Sequence, residues 1–259
     1  MNHLWEALAR YPNDAPVREN QPKRKICPMP TPGRSNDGGS IQHRPLPCRE
    51  TTAFLTDPTV ASALIGALSP FDIVIVPGLD GSGPDHWQSR WEGFLSRRSI
   101  AVHRVVQIDW EKPTYRAWRS GLRATLAKCS RPTILIAHSL GAVLVARWAS
   151  ERSNGPVSGA FLVAPADVER HRGADAGRVA DFAPLPSARL PFPSVLVASR
   201  NDEWLTIHRA RTMARRWGST MLDAGKLGHI GNISGVGLWP DGLSALGDLA
   251  LSLSGAPDP

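Results

Sequence analysis

Ser139 stands in "TILIAHSLGAVLVARWA", residues 133–149, where an apolar, β-branched run meets a helical pattern with no linker between them. Thr133 to Ala137 reads as a strand and Gly141 to Ala149 as a helix. So sharp a turn forces the intervening hydroxyl out of the sheet and leaves room only for small residues two positions before and after it. Here those are Ala137 and Gly141, and A-H-S-L-G is one residue away from the G-x-S-x-G nucleophile elbow. The helix that begins beneath the serine offers free N–H groups and the positive end of its dipole. The Leu140 N–H is therefore a candidate donor to an oxyanion. The same serine also fits an ordinary helix N-cap, and the five residues alone do not separate the two roles.

A serine hydroxyl needs a base to become a nucleophile, and the base needs a carboxylate to orient it. Three histidines follow Ser139 in the chain: His171, His208 and His229. His171 lies in the polar stretch "ERHRGADAGR", and His208 among the arginines of the amphipathic "TIHRARTMARRW". His229 lies in "AGKLGHIGN", a Gly-rich loop after the last strand pattern, from which a base could reach over the strand ends. Asp202, in "VLVASRNDEW", follows the fifth strand pattern and precedes His229, giving the order serine, acid, histidine. It also reads as a turn or helix-capping aspartate. Asp167, in "LVAPADVE", is a rival acid, but it leads into a polar stretch that reads as mobile. Asp223 lies on the last strand and is expected to point into the structure. A second oxyanion donor is expected from the Leu79 N–H in "IVPGLDGSG", where Gly78 permits a tight turn. That loop lacks both a G-K-[ST] ending and a clean G-x-G-x-x-G, which argues against nucleotide binding.

The elements that must position these groups follow a regular pattern. "FDIVIV", "AVHRVVQI", "TILIA", "GAFLVA", "SVLVAS" and "STMLDA" read as six strands separated by helical periodicities. Apolar strands alternating with helices predict one α/β domain over residues 71–255: a mostly parallel six-stranded sheet with helices on both faces and no large lid. In such a sheet functional groups gather at the C-terminal ends of strands, where the candidates above fall. Trp87, Trp91, Trp110 and Trp118 read as helix packing rather than pocket lining, since two of them lie on amphipathic faces. Residues 1–70, rich in Pro, Gly and charge, are expected to form a disordered extension, with a short helix over Thr59 to Leu68. Residues 256–259 are expected to be a tail. "LPCRE", Leu46 to Glu50, matches L-x-C-x-E, a motif that binds retinoblastoma-type pocket proteins, but three fixed positions arise easily by chance.

Composition narrows the function classes. A chain of 259 residues, 42% hydrophobic, suffices for one well-cored domain. No apolar run approaches the ~18–20 residues of a membrane span, and "MNHLWEALARYPNDAP" lacks the basic start and apolar stretch of a secretory signal. Cys27, Cys48 and Cys129 form neither a disulfide framework nor a metal-ligand spacing, which points to a reducing, cytoplasmic compartment. The net charge of +7 comes from scattered arginines interleaved with acids, without the aromatic–basic patterning of a nucleic-acid binder.

Taken together, "VPGLDGSGPDHWQSRWE", "QIDWEKP", "AHSLGAVLVARWA", "FLVAPADVE", "ASRNDEW" and "GHIGN" resemble the serine hydrolase family named after YdeN and retinoblastoma-binding protein nine, over about residues 71–255. The resemblance implies a compact α/β-hydrolase that cleaves esters or amides, with nucleophile, acid and base on Ser139, Asp202 and His229. Asp80 departs from the pattern, standing where a small residue or glycine is expected. The expectation is a serine hydrolase of small-molecule esters or amides that uses no metal or cofactor, binds neither nucleic acid nor membrane, and forms its oxyanion hole from the Leu79 and Leu140 amides. A binding protein on an inactive hydrolase scaffold and an acyltransferase are the alternatives.

Overall fold

Successive side chains of a strand face opposite sides of the sheet, and here both sides are apolar. In the computed structural model, which describes residues 44–45, 58–151 and 155–255, Val74 and Val76 of β2 (Asp72–Val76) enter one core while Ile73 and Ile75 enter another. The same division runs through β4 (Thr133–His138), β5 (Val157–Val163) and β6 (Ser194–Ala198). Thus Leu135, Leu162 and Leu196 face one way, and Ile136, Phe161 and Val197 the other. With β3 (Val102–Arg104) and β7 (Thr220–Asp223), these are the six expected strands. β1 (Arg44–Pro45) adds a seventh, and the order β1-β7-β6-β5-β4-β2-β3 is parallel throughout. β3 is shorter than its pattern predicts, because the chain leaves the sheet edge and exposes Val106 and Ile108.

Helices cover both faces, as a parallel sheet requires. α1 (Pro58–Leu68), α2 (Trp87–Ser96) and α7 (Pro240–Ser254) bury their apolar residues on one face. α3 (Tyr115–Leu126), α4 (Leu140–Ala149) and α6 (Ile207–Trp217) bury theirs on the other. Thr114 and Thr206 cap α3 and α6 by accepting from the Ala117 and Arg209 amides. The connection from β5 to β6 carries the short α5 (Ala176–Val179) and a 3₁₀ turn, Ala180–Phe182, neither of which its polar sequence announces. Trp87, Trp91 and Trp118 are fully buried and do pack helices, whereas Trp110 is only partly buried.

The domain boundary expected at residue 71 is corrected. Leu64, Ala67 and Leu68 of α1 are buried in the core alongside α7, and β1 pairs with β7, so both belong to the folded unit. All described residues fall within one compact unit, Ser40–Pro259. The rest of the expected extension, with "LPCRE", Cys27 and Cys48, and the expected tail lie outside the described residues.

Candidate active site

β3 lies on one side of β2 and β4 on the other, so the sheet reverses its direction of growth between β2 and β4. Loops leaving neighbouring strands diverge at such a point and open a crevice. The strand ends there are level: Val76 pairs with Ala137, His138 with Val163, Val163 with Val197 and Ala198 with Asp223. The loop after β2, Ser139 after β4, the loop after β6 and the loop after β7 therefore leave from one edge.

Ser139 has φ 54° and ψ −123°, a positive-φ conformation that a non-glycine residue adopts only when its surroundings impose it. The imposition is visible on both sides. The Ser139 amide donates to the Val163 carbonyl at 3.0 Å, and its own carbonyl accepts from the Ala142 amide at 3.0 Å. A Cβ at Gly141 would lie 2.5 Å from the Val76 carbonyl oxygen, so only glycine fits there. A Cβ at Gly78 would lie 2.8 Å from the Ser139 Cβ, which sets the loop after β2 directly against the serine.

The Ser139 hydroxyl caps nothing in α4, unlike those of Thr114 and Thr206. It lies 2.7 Å from His229 Nε2, and His229 Nδ1 lies 2.8 and 3.0 Å from the two oxygens of Asp202. With its proton on Nδ1, the neutral ring donates to the carboxylate and leaves Nε2 to accept from the serine. The Asp202 side chain is wholly enclosed, and one of its oxygens also accepts from the Trp204 amide at 2.8 Å.

The loops that present the acid and the histidine are knitted together. Asn201 Oδ1 accepts from the Gly228 amide and Ser199 Oγ from the Leu227 amide, both at 2.9 Å. The His229 carbonyl accepts from His138 Nε2–H at 2.9 Å, and the next carbonyl, that of Ile230, from Trp87 Nε1–H at 2.8 Å. Gln88, fully buried, donates to the carbonyls of Val76 and Ile136 and accepts from the Ser82 hydroxyl, tying β2 and β4 to the loop that follows β2. Burial, together with the nearby Arg104 and His229, pushes His86 down to about 4, and burial holds His138 well below the usual imidazole range. Both imidazoles beneath the site are thus neutral near pH 7.

The other candidates end elsewhere. Asp167 is buried and held by Arg209, 2.9 Å from Nε, so the carboxylate that leads into the stretch expected to be mobile is itself fixed. Asp223 pairs with Arg200 at 2.8 Å. His208 is exposed on α6. His171 stacks on Trp204, ring centroids 3.6 Å apart, and the same indole also lies against the His229 ring, at 5.7 Å. The sequence reading missed Gln88, His138 and Trp204. The only signal for the first was a polar residue on an apolar helix face. Leu140 is the first residue of α4, directly after Ser139, and Leu79 follows Gly78, the residue set against the serine. Asp80 turns away toward Arg178.

Among the described residues, Asp72, His103 and Cys129 form the one cluster close enough to share a metal ion. It lies at the start of β2, the opposite edge of the sheet from Ser139. Its Asp72 carboxylate is already occupied by the Ser130 and Arg131 amides and the Arg131 guanidinium. No helix among the described residues is long and apolar enough to cross a membrane.

A parallel α/β sheet with a serine at a strand–helix junction and an imidazole bonded to its hydroxyl is the architecture of the α/β-hydrolases. Residues 73–248 match the model of the serine hydrolase family, and the chain belongs to that family. A YdeN-like hydrolase of Pectobacterium atrosepticum is 32% identical, over 75% of this chain and 98% of its own, with a TM-score of 0.65. The ydeN gene product of B. subtilis, 17% identical over 72% of this chain and 100% of its own, shares the fold at a TM-score of 0.53. So does Est1E of Butyrivibrio proteoclasticus in its ferulic acid complex, 12% identical over 71% of this chain and 88% of its own, also at 0.53. No curated protein matches.

Proposed function

We propose that this chain hydrolyses small esters or amides through an acyl-enzyme. The observation that carries the reading is the continuous series Ser139 Oγ, His229 Nε2, His229 Nδ1 and Asp202, each step a hydrogen bond of 3.0 Å or less. In it, Ser139 attacks the substrate carbonyl while Nε2 takes its proton. Asp202 holds the tautomer and stabilises the imidazolium that forms. The negative charge on the carbonyl oxygen is met by the Leu79 and Leu140 amides, whose dipoles are fixed before reaction. Collapse of the intermediate expels the alcohol or amine, which receives the proton from His229. Water, deprotonated by the same base, then releases the acid and restores Ser139. The cysteine spacing supports the reducing environment of the cytoplasm as the place where this occurs.

The test is Ser139→Ala against the unmodified chain on an activated ester such as p-nitrophenyl acetate, with fluorophosphonate labelling in parallel. Turnover should fall by about 10³-fold or more, and labelling should disappear, while circular dichroism is unchanged. Equal turnover by the variant at matched purity sinks the proposal.

A further inference from the structure

Arg178, in the connection between β5 and β6, uses all three guanidinium nitrogens. Nη2 donates to Asp80 Oδ1 at 2.5 Å and to the Trp110 carbonyl at 2.8 Å. Nη1 donates to Asp175 at 2.8 Å, with a longer contact to Asp80 Oδ2 at 3.4 Å, and Nε donates to the Glu111 carbonyl at 2.9 Å. One side chain thus joins three segments distant in sequence: the loop after β2, the loop after β3 and α5. Asp80 and Asp175 together hold the guanidinium above its ordinary pKa.

Asp80 occupies a demanding place. Gly78 to Gly81 form a tight turn closed by the Gly81 amide on the Gly78 carbonyl at 3.1 Å. Asp80 is its third residue, with φ 62°. That is the position which favours glycine or asparagine in turns of this kind, and the preceding residue, Leu79, carries the amide proposed to meet the oxyanion. The indole of Trp110, whose carbonyl Arg178 also holds, lies beneath Gly81 at 3.8 Å from a Cβ placed there. An exposed ion pair on its own positions little. This one differs in that every nitrogen of the cation is committed and in that its anion sits where the backbone is strained.

We propose that Arg178 and Asp80 form a clasp that holds the turn in the shape presenting the Leu79 amide to the reacting carbonyl. Arg178 is a positioning residue in this account, acting through Asp80 and touching no substrate. The inference rests on the hydrolase reading above.

The decisive set is Asp80→Ala, Asp80→Gly, Arg178→Ala and the double variant Asp80→Gly/Arg178→Ala, assayed on p-nitrophenyl acetate and titrated with a phenylboronic acid, which forms an anionic tetrahedral adduct on serine. Asp80→Ala and Arg178→Ala should each lower kcat by about tenfold to a hundredfold, below the full loss of one oxyanion donor. KM should stay within about threefold, and boronate affinity should fall in step with kcat. Glycine takes a positive φ without strain, so Asp80→Gly should recover most of what Asp80→Ala loses, and adding Arg178→Ala to it should cost little more. A merely structural clasp would give the opposite pattern: melting temperature falls, glycine rescues nothing, and boronate affinity holds. Wild-type kcat in Asp80→Ala and Arg178→Ala overturns the clasp alone, provided that the unmodified chain labels with fluorophosphonate and Ser139→Ala does not. An unmodified chain that neither turns over nor labels overturns both proposals. If Arg178→Ala unfolds at the assay temperature, the two Asp80 variants decide the question.

Discussion

Asp167 and Asp202 leave the same edge of the sheet after neighbouring strands, and both are buried. Asp167 faces Arg209, and the two side chains are only 6% and 8% exposed. Its charge is spent on a fixed cation, which Glu169 also contacts. Asp202 has no such partner among the described residues; it accepts one backbone amide and turns both oxygens to the His229 ring. In the proposed mechanism the His229 imidazole gains a proton, and it then needs an anion that nothing else neutralises. That requirement, more than burial or strand position, separates the two acids.

The comparison is most directly broken at Asp202. Asp202→Asn keeps the shape but can donate to Nδ1, favouring the tautomer whose Nε2 cannot accept from Ser139. kcat should fall by about 10²–10⁴-fold, measured on the activated ester, with the melting temperature little changed. Asp167→Asn should leave kcat within about tenfold of wild type, the range for a polar group that only supports the site. If Asp167→Asn is instead the crippled variant and Asp202→Asn is near wild type, the roles are reversed.

Asp167→Asn should show its effect in stability. Removing one partner of a buried ion pair strands the other charge, at a cost of about 3–5 kcal/mol; the contact Arg209 retains with Glu169 puts the expected loss at the lower end. Urea unfolding with unchanged slope would measure it. A loss below about 1 kcal/mol would mean that Arg209 repairs itself with water and Glu169, and the contrast in electrostatic roles would then be weaker than the geometry implies.

The two regions were unequally legible in the sequence. The Asp202 side rests on local features: an apolar strand, a short loop opening on the polar "SRND", then a helix start at Thr206, each with a periodic or capping signal. The same holds for the elbow, whose glycine requirement at 141 is a property of adjacent backbone. The Asp167 side depends on partners far along the chain. Arg209 lies 42 positions away and Arg178 lies 98 from Asp80, and neither pairing leaves a periodic trace. The polar run after Asp167 therefore reads as mobile, although Asp167 itself is buried in an ion pair. The boundary error at α1 has another origin: "PTVASALIGAL" carries an apolar face, but its Pro-rich approach suggests an extension until α7 is seen against it.

A smaller effect sharpens the contrast by pH. Beneath Asp202 and His229 the protein keeps imidazoles neutral, whereas at Asp167 it keeps a full ion pair. His86 accepts from the Gln88 amide at the start of α2. A proton on its ring would face the positive end of that helix and a buried interior. Burial and its neighbours lower it from 6.5 to about 4. Between these values the unfolded chain binds the proton and the folded one does not. Stability that is complete above pH 6.5 is therefore lost as the pH falls toward 4, by about 3 kcal/mol for this group. His138 shifts in the same direction and adds to the slope with the same sign. His86→Asn retains a capping oxygen and cannot be protonated, so the fall in unfolding free energy between pH 6.5 and 4.5 should shrink in this variant. The same fall should keep its full size in Asp167→Asn, since the two changes act through separate partners. A slope unaltered by His86→Asn would place the acid sensitivity elsewhere and remove the neutral imidazoles from the contrast.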